Sequence, residues 1–138
     1  MHWTALDAVQ RRINRRVSGN PLVDPYRDVL DKYFAGLRPV ERALTLGCGT
    51  GELERGATQY NFCLHHHAFD IAEESIRKDR EAARQAGFGH IHYEVRDVNR
   101  IELSAQTYDC VLGVHSIHHP AALEHVFNHV RRALRPGG

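Results

Sequence analysis

The sequence predicts an α/β fold: a parallel sheet with helices packed on it, preceded by two N-terminal helices. Three observations predict it. The first 39 residues carry apolar positions three to four apart, as amphipathic helices do. From position 40 onward, short apolar runs alternate with helix-period segments, and strand-then-helix order means parallel strands joined by right-handed crossovers. The first apolar run ends in Gly47-Cys48-Gly49-Thr50-Gly51, a turn where backbone lies open to a ligand.

Taken in order, residues 3–17 place Trp3, Leu6, Val9, Ile13 and Val17 on one helical face, with Gly19 and Pro21 as the stop. Asp24-Pro25 caps a second helix, whose face is Tyr26, Val29, Leu30, Phe34 and Leu37, ending before Pro39. A first strand is expected over 42–46 and a short helix over 52–57. A second strand follows over 62–70, its histidines fitting best on an outer, exposed part of the sheet. Residues 72–86 form the strongest helix, with Glu73/Arg77, Glu74/Lys78 and Arg77/Glu81 at i,i+4 and Gly87 as its cap. A third strand is expected over 91–96 and a fourth over 108–114. Pro120 opens a last helix with Leu123, Val126, Phe127, Val130 and Leu134 on its buried stripe. The boundaries are an N-terminal helical extension, 1–39, and a sheet domain, 40–138.

Composition narrows the function. The chain has 138 residues, suited to one core, and a formal net charge of +1 gives no electrostatic case for nucleic acid or a membrane surface. Arg11, Arg12, Arg15 and Arg16 are the local exception, either a solvated helix face or a nucleic-acid contact. Cys48, Cys63 and Cys110 are odd in number and widely spaced, which suits neither a disulfide framework nor a zinc knuckle. With no signal segment and no long apolar run, a cytoplasmic location is expected. The eleven histidines include pairs on one strand face (His65/His67, His90/His92) and the i,i+4 pair His125/His129. No carboxylate accompanies them in a metal-binding spacing, and His125 and His129 are expected on the solvent side. No metal site is expected.

Ligands of open parallel sheets bind beyond the carboxyl ends of the strands. Three features fall at such ends: the glycine turn, Asp70 at the end of the second strand and Asp97 just after the third. Asp70 is placed either to accept both hydroxyls of a ribose or to cap the helix that follows. Asp97 either receives an exocyclic amine or starts a turn. A G-x-G-x-x-G dinucleotide fingerprint is not matched, since the third glycine comes one residue early, and no Gly-Lys-Ser/Thr follows as a phosphate loop requires.

Leu44–Gly51 resembles the first motif of class I S-adenosylmethionine-dependent methyltransferases. The segments 68–72 and 95–98 resemble the second and third motifs, 108–119 the fourth strand with its loop, and 134–138 the turn leading to a fifth strand. The resemblance covers about residues 40–138. It implies a Rossmann-like sheet of order 3-2-1-4, truncated before strands five to seven of the family order 3-2-1-4-5-7-6. It implies S-adenosyl-L-methionine as cofactor, with Gly47, Cys48, Gly49, Thr50, Gly51, Asp70, Ile71, Asp97, Val98 and His115 as its contacts. Thr45 stands where many members carry an acid, weakening the expected grip on the methionine part. Tyr26 is either a group closing over the ligands or an ordinary core or surface aromatic.

The implied reaction is methyl transfer to an unidentified small-molecule acceptor, with His115, His118 and His119 as candidates for a base and no catalytic residue assigned. The alternative is a non-catalytic cofactor-binding or self-associating domain. On that reading the apolar fourth strand is a sheet edge and a possible homodimer contact.

Overall fold

The computed structural model describes residues 6–138, so Trp3 lies outside the described residues. The chain divides into two compact units, Met1–Arg38 and Pro39–Gly138.

The first unit holds α1 (Asp7–Ser18) and α2 (Pro25–Tyr33). Gly19 ends α1 in the left-handed region, φ 81°, its N–H donating to the Arg15 carbonyl. The buried residue of α1 is Asn14, whose amide donates to the Pro21 carbonyl at 3.0 Å, while Val17 of the expected apolar face is exposed. The four arginines are exposed, and Arg11 pairs with Asp7. Asp24 caps α2 by accepting from the Arg27 N–H. The helix stops at Tyr33, four residues earlier than the apolar spacing to Leu37 indicated. Leu30 is buried, and Leu37 is exposed.

The second unit is a four-stranded parallel sheet, as the sequence predicts, in the order β3-β2-β1-β4 that the family resemblance implies. Its elements are β1 (Val40–Leu46), α3 (Glu52–Thr58), β2 (Cys63–Asp70), α4 (Glu73–Gln85), β3 (Ile91–Val95), a 3-10 turn (Val98–Arg100), β4 (Cys110–Leu112) and α5 (Leu123–Ala133). One face of the sheet buries Leu44, Leu46 and Phe69 with Tyr108, Val126 and Ala133. The other buries Ala68, Ile76, Ala83, Ile91 and Tyr93 beneath α4. β1 is the central strand and is buried on both faces, which explains its continuous apolar run. No helix among the described residues is long and apolar enough to cross a membrane.

Several expectations need correction. β4 is shorter than 108–114: Tyr108 instead makes an isolated parallel bridge to Leu134, and Arg135 pairs with Glu41 and Asp109, so the segment after α5 lies against the start of the strand. α5 begins at Leu123, not at Pro120. The Asn99 side-chain carbonyl accepts from the Ala121 and Ala122 N–H groups and holds that stretch out of the helix. Its inner face is therefore different. Phe127 is 52% exposed and Leu123 is also exposed. His125 bonds the Ile101 carbonyl at 2.9 Å, and His129 accepts from the Leu103 N–H at 3.2 Å. In α4, Arg77 pairs with Glu74 rather than with Glu73.

The histidine run divides by strand alternation. His66 points inward at 1% exposure and bonds the Thr45 hydroxyl at 2.9 Å, while His65 is exposed and His67 contacts the Tyr108 hydroxyl. Burial pushes the His66 imidazole down to about 3. The unfolded chain then binds a proton, below about pH 6.5, that the folded chain refuses. Stability is present above that value and falls by about 1.4 kcal/mol per pH unit as the pH drops toward 3. Denaturant titrations at pH 7 and pH 5 should show this loss, and His66→Phe should flatten it.

Candidate functional site

The carboxyl ends of β1 and β2, the segment after β3 and the loop after β4 surround one cavity of about 640 Å³. That volume lies within the roughly 300–1,000 Å³ of small-molecule sites. Nine of the ten residues expected from sequence line it: Gly47, Cys48, Gly49, Thr50, Asp70, Ile71, Asp97, Val98 and His115.

Gly51 stands apart. It lies beneath the turn, φ 63°, where an added Cβ would come within 2.8 Å of Asp79 Cγ and of the Tyr93 hydroxyl. Arg55 pairs with Asp79 there, and the Tyr93 hydroxyl donates to the Gly51 carbonyl. Gly51 therefore supports the turn from below. Gly51→Ala should cost about 1–3 kcal/mol of stability through overpacking, read as a lowered thermal midpoint.

Asp70 ties two segments of the wall together. One oxygen accepts from the Gly49 N–H and the other from the Ala72 N–H, both at 2.9 Å. The N-cap of α4 is Ala72, so Asp70 is not the capping residue. A carboxylate has about four acceptor sites, and these bonds leave capacity on both oxygens. Asp97 caps the 3-10 turn by accepting from Asn99, and it lines the cavity as well. Asn99, two residues on, then reaches Ala121 and Ala122, so one short stretch connects the third strand's end to the start of α5.

The loop after β4 sits down on the glycine turn. The Ser116 hydroxyl donates to the Leu46 carbonyl at 2.5 Å, and a Cβ on Gly47 would meet Ser116 Cβ at the same distance. His115 adopts a left-handed φ of 56°, uncommon for a residue with a side chain. His115 and His119 line the cavity; His118 is not among the lining residues and stacks on His119. Ser116 and Asn99 were not singled out from sequence, and His119 only as a candidate base. The Asp-x-Asn spacing of 97–99 signals the Asp97 turn, since Asx side chains bond backbone two residues on, but not the reach of Asn99 to Ala121 and Ala122.

Thr45 does not line this cavity. It is buried against His66 on the sheet's other face, so its lack of charge has no direct bearing on the cavity wall. Burial, with help from nearby carboxylates, pushes the Cys48 thiol far up, leaving it a neutral wall residue rather than a nucleophile.

The cavity's chemistry is acidic and apolar. Asp70 and Asp97 face it with Leu46, Ile71, Val98, Val114 and Ile117, and no Lys or Arg is among its lining residues. Such a wall suits a neutral or cationic ligand with hydroxyl and amine donors better than a pyrophosphate. Among the described residues no three His, Cys, Asp or Glu side chains come together to hold a metal ion.

Residues 43–138 match the family described as "Methyltransferase domain". The chain is 30% identical over 110 residues to 27-O-demethylrifamycin SV methyltransferase of Amycolatopsis mediterranei, covering 76% of this chain and 40% of that protein. It is 25% identical over 116 residues to the sterol 24-C-methyltransferase erg6 of Schizosaccharomyces pombe, covering 77% of this chain and 28% of that one. Among solved structures, an S-adenosylmethionine-dependent methyltransferase from Mesorhizobium loti superposes with a TM-score of 0.66 at 26% identity. That match covers 80% of this chain and half of that chain. The chain thus spans less than half the length of these curated relatives.

Proposed function

We propose, for a chain that belongs to the class I S-adenosylmethionine-dependent methyltransferase family, that the 640 Å³ cavity binds S-adenosyl-L-methionine and serves methyl transfer to a small-molecule acceptor. The observation that carries this reading is the convergence of the glycine turn, Asp70 and Asp97 on one cavity that is acidic and free of lining Lys or Arg.

The residues present fit the cofactor. A Cβ on Gly49 would meet nothing within 4 Å, so the turn's backbone lies open. Asp70 keeps acceptor capacity for a ribose diol while bonded to Gly49 and Ala72. Ile71, 68% exposed on the described surface, and Val98 offer apolar flanks for a planar base, with Asp97 at its polar edge. When bound, the cofactor supplies a methyl group already activated on a sulfonium.

The chain's own contribution is then positioning. Holding acceptor and donor in line supplies roughly 7–11 kcal/mol in well-oriented systems. The loop over 113–119, anchored by Ser116 to Leu46, forms one wall of the cavity. His115 and His119 are the side chains on this wall able to hold an acceptor's proton. The relatives named above act on unlike acceptors, and the acceptor here is proposed only as a small molecule.

Mapping amide shifts with S-adenosylhomocysteine tests this reading. Perturbation is expected at 47–50, 70–71, 97–98 and 115; shifts confined to other regions would overturn it. A cytoplasmic location and a boundary near residue 39 belong to the same proposal.

A second reading has its own support. Leu134 and Arg135 engage the chain just before β4, at Tyr108 and Asp109, and in the strand itself Val111 and Leu112 are partly accessible. Open apolar edges recruit strands, so self-association through β4 is proposed. Light scattering should show a dimer mass, and a monomer at tens of micromolar would exclude it.

A further inference from the structure

The loop that follows β4 is pinned at both ends. The Ser116 hydroxyl holds one end to the Leu46 carbonyl. Asn99 holds the other, its side-chain carbonyl accepting from the Ala121 N–H at 2.7 Å and the Ala122 N–H at 3.1 Å. His119 and Pro120, between the two pins, line the large cavity. α5 has no capping side chain of its own, since Ala122 occupies its N-cap, and Asn99 supplies the acceptor from another element.

The other side of the same amide faces Asp97. Asn99 Nδ2 donates to Asp97 Oδ1 at 3.1 Å, and the Asn99 backbone N–H donates to the same oxygen at 2.9 Å. These partners fix the amide's orientation. Reversed, it would set its oxygen against a carboxylate and its amino group against two N–H donors. Oδ1 is thus committed within the chain. Oδ2 has the exposed Arg100 guanidinium at 3.8 Å, a loose ion pair that leaves lone pairs open. Asp97 lines the cavity, so Oδ2 is the oxygen with capacity for a ligand.

We propose that Asn99 is a positioning residue coupling two walls of the cavity: a ligand donating an N–H to Asp97 tightens, through Asn99, the start of α5 and the loop that carries His119. This rests on the function proposed above, in which Asp97 meets the amine of the cofactor's base and His119 stands on the acceptor's side. A ligand shifts an equilibrium only by its differential affinity for the two states. Here the states are the amide bridged to both partners and the amide released from them. A carboxylate held in place by a ligand keeps Oδ1 turned to Asn99, so the ligand favours the bridged state. By reciprocity, releasing the loop weakens the ligand's hold. His125 bonds the Ile101 carbonyl and His129 accepts from the Leu103 N–H, strapping the chain after Asn99 to the body of α5. The response therefore falls on the helix start and the loop. The consequence is an order of assembly: the base end fills first and the acceptor's wall firms second.

Amide hydrogen exchange at Ala121 and Ala122 in the full chain tests this, because both N–H groups lose their acceptor when Asn99 lets go. Saturation with S-adenosylhomocysteine should slow both amides at least about fivefold, the low end of coupling between sites. Its deamino analogue, with a hydrogen in place of the exocyclic amine, should at saturation leave them near their ligand-free rates. A folded, saturated Asn99→Ala should show no ligand-dependent slowing. Equal protection by the two ligands, or slowing that survives in Asn99→Ala, would mean simple burial by the ligand and overturn the proposal. Saturable binding of S-adenosylhomocysteine with no slowing would overturn it as well. If Asn99→Ala does not fold, or the deamino analogue does not saturate, the other comparison decides alone. Failure to bind S-adenosylhomocysteine at all is a distinct result: it removes the function proposed above and this coupling with it.

Discussion

Asp70→Ala is expected to weaken S-adenosylhomocysteine binding by about 1.5–3 kcal/mol, roughly 10- to 150-fold, the range for losing hydrogen bonds to a charged group. The carboxylate has two tasks. It bonds Gly49 and Ala72, fixing the glycine turn to the residue that starts α4. On the proposed function it also accepts from the cofactor's ribose with its remaining lone pairs. Both losses act in one direction on affinity, but only the first lowers the thermal midpoint without ligand. Calorimetric titration and thermal melting of the same variant therefore separate them. An unchanged dissociation constant in a folded Asp70→Ala would remove Asp70 from the site.

Gly47→Ala should have an effect at least as large. Gly47 has φ 72°, where a side chain costs roughly 1–2 kcal/mol. Its Cβ would stand 2.5 Å from Ser116 Cβ, an atom next to the backbone of a residue already bonded to Leu46. Overpacking of this kind costs about 1–3 kcal/mol more. Strain here falls on the turn and on the loop over 113–119 together, so cofactor affinity should drop by more than about 100-fold. Ser116→Gly in the same chain should restore part of it, since it removes the colliding atoms but not the strained φ. Wild-type affinity in Gly47→Ala would mean that turn and loop are not in contact when ligand binds.

Much of this was legible in the sequence because it rests on local rules. The apolar run ending at Leu46, the glycines after it and an aspartate at or just past the end of each of the next two strands locate the sheet and its ligand end. The misplacements involve long-range polar bonds. Asn99 reaches some twenty residues ahead to delay α5, and the helix then turns His125 and His129 inward to backbone partners at Ile101 and Leu103. Helical period alone selects Leu123 and Phe127 for the core, and the structure leaves both exposed. His66 is hidden for the same reason: its partner, Thr45, lies on the neighbouring strand. Gly51 reads as part of a ligand-contacting motif, yet what makes a side chain impossible there is a cluster of Arg55, Asp79 and Tyr93 drawn from three other elements. Ser116 lies inside a segment that resembles the family, but its contact with Gly47 depends on a loop path that no spacing encodes.

The central claim is that the acidic, glycine-floored cavity binds S-adenosylmethionine. Isothermal titration calorimetry of S-adenosylmethionine and S-adenosylhomocysteine into the chain, with NAD as control, tests it most directly. The expected result is saturable binding of the first two, at one site per chain, and none of NAD. Failure of a folded chain to bind either, or equal binding of NAD, would contradict it.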